Sequence, residues 1–271
     1  MDMSGRLIAI PDIHGRNDLL GELLHHVFTG VVIPGREDWA PFRPGVDRLI
    51  FLGDMIDRGL DSKGVIERVR AVAQMYPTTA VLRGNHEMFA VNVYRGPEHA
   101  REAERQCWFY PGNGGRETVA SFQGRIPDDV IDWLAMLPTF VEHDRFFFSH
   151  APVPRENRRL TYLRGQPFSE EELIWSYDAD EFGFSRNFGS GMVGVCGHIH
   201  QLRRGCFTPR FYPHYLFLDA GCGCHEKAPL IACDVESRRY LEVTARDGQY
   251  RMRVMNQAHE EVRSDGDRRA D

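Results

Sequence analysis

Apolar residues fall along this chain in two rhythms. Leu7-Ile8-Ala9-Ile10, Leu49-Ile50-Phe51-Leu52, Ala80-Val81-Leu82, Phe146-Phe147-Phe148 and Val193-Gly194-Val195-Cys196 are short, continuous runs. Such runs, closed by Gly or polar residues, predict buried strands. Between the first three the spacing is helical. Leucines follow a cap candidate at Asn17 as far as Phe28, and Val65, Ile66, Val69 and Val72 share one stripe over 62–75. Strand, helix, strand, helix, strand through Leu82 makes a pair of βαβ units, and such crossovers build a parallel sheet. Residues 86–137 read mostly as helix, and 128–137 form an amphipathic helix stopped by Pro138. From Val193 on, apolar runs return at 216–218, 230–233 and 240–243 with no long helix between them. They predict a second, mixed sheet packed on the first. The expected class is α/β: two mixed β-sheets in a sandwich flanked by helices, one domain over 1–258. The charged, apolar-poor residues 259–271 are expected to fray.

Each of the five strand-like runs ends on a polar block. The blocks are Asp12-Ile13-His14-Gly15, Gly53-Asp54-Met55-Ile56-Asp57-Arg58-Gly59, Gly84-Asn85-His86-Glu87, Ser149-His150-Ala151 and Gly197-His198-Ile199-His200. In open α/β sheets, ligands bind at the carboxyl ends of strands. Five strand ends therefore bring Asp, His and Asn toward one spot, which is the inventory of a metal site. Composition narrows the context. The 271 residues carry a formal charge of −6 and 42% hydrophobic residues, which is ordinary for a soluble globular protein. Nothing in that balance favours nucleic acid or a membrane. No basic, apolar leader opens the chain and no apolar run is long enough to span a bilayer, so the cytoplasm is the expected location. Six cysteines show no CxxC pairing, and Cys196 and Cys233 sit in strand-like runs as buried thiols. Cys222-Gly-Cys224-His225 lacks the spacing of a zinc knuckle. Residues 152–166, rich in Arg, Pro and Asn, predict a loop near the site.

The five blocks, in this order, resemble those of the calcineurin-like metallophosphoesterases. Within them, GDxxDRG followed by GNHE resembles the phosphoprotein phosphatase family of bacterial, phage and eukaryotic serine/threonine phosphatases. The stretch from Trp108 to Phe122, with Asn113-Gly114-Gly115 and Thr118, is similar to bacterial members, as is Glu172-Leu173-Ile174-Trp175. The resemblance runs from Leu7 to Gly221. It implies a four-layer α/β/β/α fold and two divalent metals, a pair that can clamp both oxygens of a phosphoryl transfer. Asp54 would bridge them. Asp12, His14 and His200 would complete the first site, and Asn85, His150 and His198 the second. The GHxH form that includes His200 is more typical of the wider superfamily. Imidazole and oxygen donors suit manganese first, with iron or zinc also possible, over calcium.

The same resemblance implies direct attack by a metal-bridging water or hydroxide, with no covalent intermediate. His86 would be the general acid, and Asp57 would orient it and raise its pKa. Arg58 offers a planar fork to a phosphate dianion. Asn85, His86 and Tyr177 would also line the substrate site. Tyr177 stands where relatives carry a second phosphate-binding Arg, for which Arg186 or an Arg of the 155–164 loop could substitute. The implied activity is hydrolysis of phosphomonoesters, foremost phosphoserine and phosphothreonine of proteins, with phosphotyrosine and aryl phosphates accepted. The alternative is hydrolysis of a dinucleoside polyphosphate such as diadenosine tetraphosphate, and a third reading is an inactive phosphate-binding module. The expected partners are phosphorylated proteins or small phosphoesters, with no nucleic acid and no membrane, and a monomer. His25, His26, His99, His143, His214, His225 and His259 match no block and read as structural or surface residues.

Overall fold

The two rhythms separate in space as predicted. The computed structural model describes residues 5–32, 38–153, 172–176, 191–200 and 207–256. In chain order the first half holds β1 (Leu7–Ile10), α1 (Asn17–Thr29), β2 (Arg48–Phe51), α2 (Ser62–Met75), β3 (Ala80–Val81), α3 (Asn85–Arg95), α4 (Glu98–Trp108), α5 (Gly115–Ser121) and α6 (Asp128–Met136). Then follow β4 (Phe140–His143), β5 (Phe146–Ser149), α7 (Glu172–Trp175), β6 (Val193–Cys196), β7 (Arg210–Tyr212) and β8 (Tyr215–Phe217). The chain closes with β9 (Leu230–Asp234), β10 (Arg239–Arg246) and β11 (Gln249–Asn256). Residues 259–271 lie outside the described part.

One sheet has the order β11-β10-β9-β1-β2-β3 and the other β4-β5-β6-β8-β7. β1, β2 and β3 are parallel, as the βαβ reading requires, and so are β5, β6 and β8. One expectation is corrected. The runs at 230–233 and 240–243 do not join the second sheet. β9 pairs antiparallel with the free edge of β1, Ile8 opposite Asp234 and Ala9 opposite Cys233, and β10 and β11 extend that sheet. The physical reason is that β9 is apolar on both faces, so it fits beside a strand covered on both sides. β6 and β8 pair instead with each other, with β5 on one side and β7 on the other, and β4 adds to the edge of β5.

Alternation along each strand builds the layers. Leu7, Ala9, Ile50, Leu52, Ile231 and Cys233 meet Phe146, Phe148, Val195 and Leu216 between the sheets. The alternate residues Ile8, Ile10, Leu49 and Phe51 turn outward onto α1 and α2, against Leu19, Leu20, Leu23, Val65 and Val69. Phe147, Cys196, Tyr215 and Phe217 cover the far face of the second sheet with Leu173 and Val153. Fully burying one such side chain contributes about 1.5–3 kcal/mol. Asn17 proves not to be the cap of α1. It is the first helical residue, and its amide donates to Asp61 Oδ2 at 2.7 Å, while Asp61 itself caps α2 by accepting from Gly64 N at 2.8 Å. The two helix starts are thereby tied together beside the first two polar blocks.

Candidate metal centre

The blocks after β1, β2, β3, β5 and β6 meet at one edge of the sandwich. The backbone leaves the strands by sharp turns. His14, Asp54, Asp57, Arg58 and His198 all have left-handed backbones, with φ of 47°, 51°, 76°, 63° and 63°. A residue other than glycine held there costs roughly 1–3 kcal/mol, and such strain concentrates at functional sites. Backbone hydrogen bonds hold the turns. Ile13 N and His14 N both donate to Asp54 O at 2.9 Å, and Gly15 N donates to Met55 O at 2.9 Å. The fully buried Glu87 carboxylate accepts from Gly84 N, Asp54 N and Met55 N, each at 2.8 Å, and from Ile56 N at 3.3 Å. At Gly84 a side chain is impossible, because its Cβ would fall 2.2 Å from Asp54 Oδ1. The ends of β2 and β3 thus approach more closely than any other residue permits.

Among the described residues, two groups of candidate ligands result. His14, Asp54 and His86 form one, and Asp54, His150 and His198 the other, with the ligand atoms of each within 4.8 Å of one another. Asp54 belongs to both, as a bridging carboxylate would. Its Oδ2 lies 3.5 Å from His14 Nε2 and its Oδ1 3.4 Å from His150 Nε2. Asn85 Oδ1 and His198 Nδ1 lie 2.9 and 3.2 Å from the same His150 nitrogen. The Asp12 carboxylate accepts from His198 N at 3.0 and 3.1 Å, which ties the first block to the fifth. His200 is half-buried on the same loop, and its charge helps to hold down the pKa of His198.

The donor set fits cations. His14 Nδ1 is 3.0 Å from Ile56 O, and His150 Nδ1 is 2.9 Å from Leu52 O. A carbonyl only accepts, so each Nδ1 carries the proton and each Nε2 turns a lone pair to the cluster. Burial keeps these rings neutral. It lowers His14 and His198 well below the usual range and His150 to about 3. Burial also raises Asp54 to about 7 and Asp12 well above its ordinary value, and each of Asp12 and Asp219 is lifted further by neighbouring carboxylates. Crowded buried carboxylates among neutral imidazoles are at rest when a cation sits between them.

Asp57 faces away from that cluster and is held from every side. His86 Nδ1 and Trp108 Nε1 donate to its Oδ2, both at 2.7 Å, Thr118 Oγ1 donates to Oδ1 at 2.6 Å, and Asp57 N donates to Ser62 Oγ at 3.0 Å. Here the expected pKa of His86 is corrected. Burial outweighs the opposing pull of Asp54 and lowers the ring to about 4, while burial raises Asp57 to about 7. Arg58 reaches over both groups. Its Nη2 donates to His86 Nε2 at 3.2 Å, Nη1 donates to Cys224 Sγ at 2.7 Å, and the guanidinium also touches His14.

The structure therefore brings together Asp12, His14, Asp54, Asp57, Arg58, Asn85, His86, His150 and His198. Tyr177, Arg186 and the 155–164 loop lie outside the described residues. The residues alone do not reveal the tasks of Glu87, Ser62, Trp108, Thr118, Asp219 and Cys224. Glu87 stands three residues after Gly84 and accepts from its amide, which is the glutamate half of a capping box, but that spacing does not announce its bonds to residues 54–56. No local pattern links Trp108 or Thr118 to Asp57, which lies 51 and 61 residues away.

The family model of the calcineurin-like phosphoesterases matches residues 5–202, which include all five blocks. The chain is a calcineurin-like phosphoesterase. This phosphoesterase is 29% identical over 175 residues to serine/threonine-protein phosphatase 2 of Escherichia coli (strain K12), over 63% of its own length and 67% of that relative. It is 26% identical over 144 residues to the symmetrical bis(5'-nucleosyl)-tetraphosphatase of Vibrio parahaemolyticus, over 53% of its length but 43% of that protein. It thus spans less than half of the tetraphosphatase. A solved structure provisionally named a diadenosine tetraphosphatase superposes with a TM-score of 0.58 at 19% identity, covering 91% of this chain and 96% of the other, which shows the shared fold.

Proposed function

We propose that this phosphoesterase hydrolyses phosphomonoesters, with phosphoserine and phosphothreonine side chains as main substrates and aryl phosphates accepted. The observation that supports this most is the sharing of Asp54 between two groups of neutral imidazoles, His14 with His86 and His150 with His198, while Arg58 and Asp57 both bond to His86. Asp12, His14, Asp54, Asn85, His150, His198 and His200 would hold two divalent cations, manganese first. Such a pair supplies Lewis acidity: it acidifies water and neutralises the charge of the phosphoryl oxygens.

The remaining steps belong to the chain's own side chains. Arg58 binds a phosphoryl oxygen through its two-pronged guanidinium. His86 gives a proton from Nε2 to the leaving alkoxide. For that the ring must be an imidazolium, which burial opposes. The phosphate dianion and the fixed Asp57 carboxylate both favour the charged ring, so the ring gains its proton when substrate arrives. Trp108 and Thr118, the latter braced by Ser62, keep the Asp57 carboxylate from rotating, and hence keep Nε2 aimed.

A second reading has support in the tetraphosphatase relatives: the same residues acting on a phosphoanhydride of a dinucleoside tetraphosphate. All the block residues a catalyst needs are present, which weighs against an inactive module. The test is kcat/KM with Mn²⁺ on a phosphoserine peptide, 4-nitrophenyl phosphate and diadenosine tetraphosphate. The proposal expects the two monoesters to lead. A dinucleotide preferred by more than roughly tenfold, about 1.4 kcal/mol of transition-state binding, would select the second reading.

A further inference from the structure

The loop 219–225, just after β8, walls the site without belonging to any of the five blocks. It is pressed against the first block. The buried Asp219 carboxylate accepts from Gly221 N at 2.7 Å, and the buried Cys222 thiol meets Ile13 O at 3.5 Å. Gly223, at φ 73°, leaves no room for a side chain, since its Cβ would fall 2.3 Å from the Cβ of His14. The next residue, the half-buried Cys224, is thereby delivered to Arg58, with Sγ 2.7 Å from Nη1. Burial keeps this thiol neutral. A carboxylate in that place would grip the guanidinium but cancel its charge and repel a phosphate. A neutral sulfur orients the fork and leaves the charge for the substrate.

We propose that Cys224 is the positioning residue of phosphate binding, its sulfur accepting from Nη1 of Arg58 and holding the guanidinium beside His86. This rests on the phosphate-binding role given to Arg58 above. The arrangement lowers the cost of ordering a long, flexible side chain when the phosphoryl group arrives.

Calorimetric titration of inorganic phosphate into the Mn²⁺-loaded protein tests it, alongside kinetics on 4-nitrophenyl phosphate. Cys224→Ala should weaken phosphate binding and raise KM roughly three- to tenfold, the net effect of one ordinary hydrogen bond as befits a weak sulfur acceptor, with a smaller change in kcat. Cys224→Ser keeps an acceptor and should recover most of the loss. Arg58→Ala should lose more, and Cys224→Ala added to it should cost nothing further, because the partner is already gone. The proposal is overturned if Cys224→Ala costs the same on both backgrounds, or if Ser is no better than Ala. If phosphate binding follows the expected pattern but no phosphoester is turned over, the functional reading fails and the positioning role stands. Phosphate bound equally well by wild type and Arg58→Ala would overturn both.

Discussion

His150 and His86 are two buried histidines on either side of Asp54, and they differ in what lies behind them. His150 has the carbonyl of Leu52 at its Nδ1, and His86 has the carboxylate of Asp57. Burial depresses both rings, to about 3 and about 4. A carbonyl fixes a tautomer and can do nothing more, so His150 is committed to offering a lone pair. A carboxylate also stabilises the charged ring once a phosphate is nearby, so His86 can carry a proton. On the roles proposed above, the partner on the far nitrogen, rather than the burial of the ring, would separate a ligand from an acid.

The largest effect should come from the group both histidines face. Asp54→Asn keeps the shape and tolerates the left-handed backbone, but removes the shared charge. It should lower bound metal at both positions and abolish nearly all turnover, as should chelation of the wild type, with Mn²⁺ restoring only the latter. Metal analysis beside steady-state rates checks this. A chelated sample with full activity would remove the basis of the comparison.

Next comes His150→Asn. It should lower metal content and activity together, and excess Mn²⁺ should recover part of the rate. His86→Asn should instead leave metal content intact and lower kcat by ~10²–10⁴-fold for an alkyl phosphate. The deficit should shrink for 4-nitrophenyl phosphate, whose leaving group needs no proton. An equal deficit for both substrates would make His86 something other than the acid.

The smallest effect is on stability. In the metal-free protein Asp54 and Asp57 are raised from 3.8 to about 7, so between those values the folded state holds protons that the unfolded state has released. That makes stability fall as pH rises. His86 and His150, depressed from 6.5 to about 4 and about 3, act in the opposite sense below 6.5 and then stop. The melting temperature of the chelated protein should therefore drop as pH rises from about 6.5 through 7, by a few degrees. Saturating Mn²⁺ should remove that drop, since a cation favours the ionised carboxylates. A chelated protein whose melting point climbs through this window would show that these carboxylates are not desolvated together.

The strands and the blocks were legible because both are local. A run such as Leu49-Ile50-Phe51-Leu52 followed by Gly53-Asp54 announces a buried strand and its turn with no knowledge of the rest. The pairing of β9 was not legible. Leu230-Ile231-Ala232-Cys233 declares that both its faces are covered, yet the neighbour it chooses depends on which edge is free once β1, β2 and β3 have formed. The clamp on Asp57 was hidden for a similar reason, since Trp108 and Thr118 reach it only after α4 and α5 have packed. The direction of the His86 shift depends on how deeply the finished sandwich excludes water, which no dipeptide encodes.

Asp12, His14 and Asp54 extend from strands of one sheet, and His150 and His198 from strands of the other. Asp12 already fastens across the gap to the amide of His198. A cation held by both sets would act as a rivet through the two halves of the molecule. Prising the sheets apart at that edge and ejecting the cation would then be one motion, so metal supply would set the mechanical cohesion of the fold as well as its chemistry.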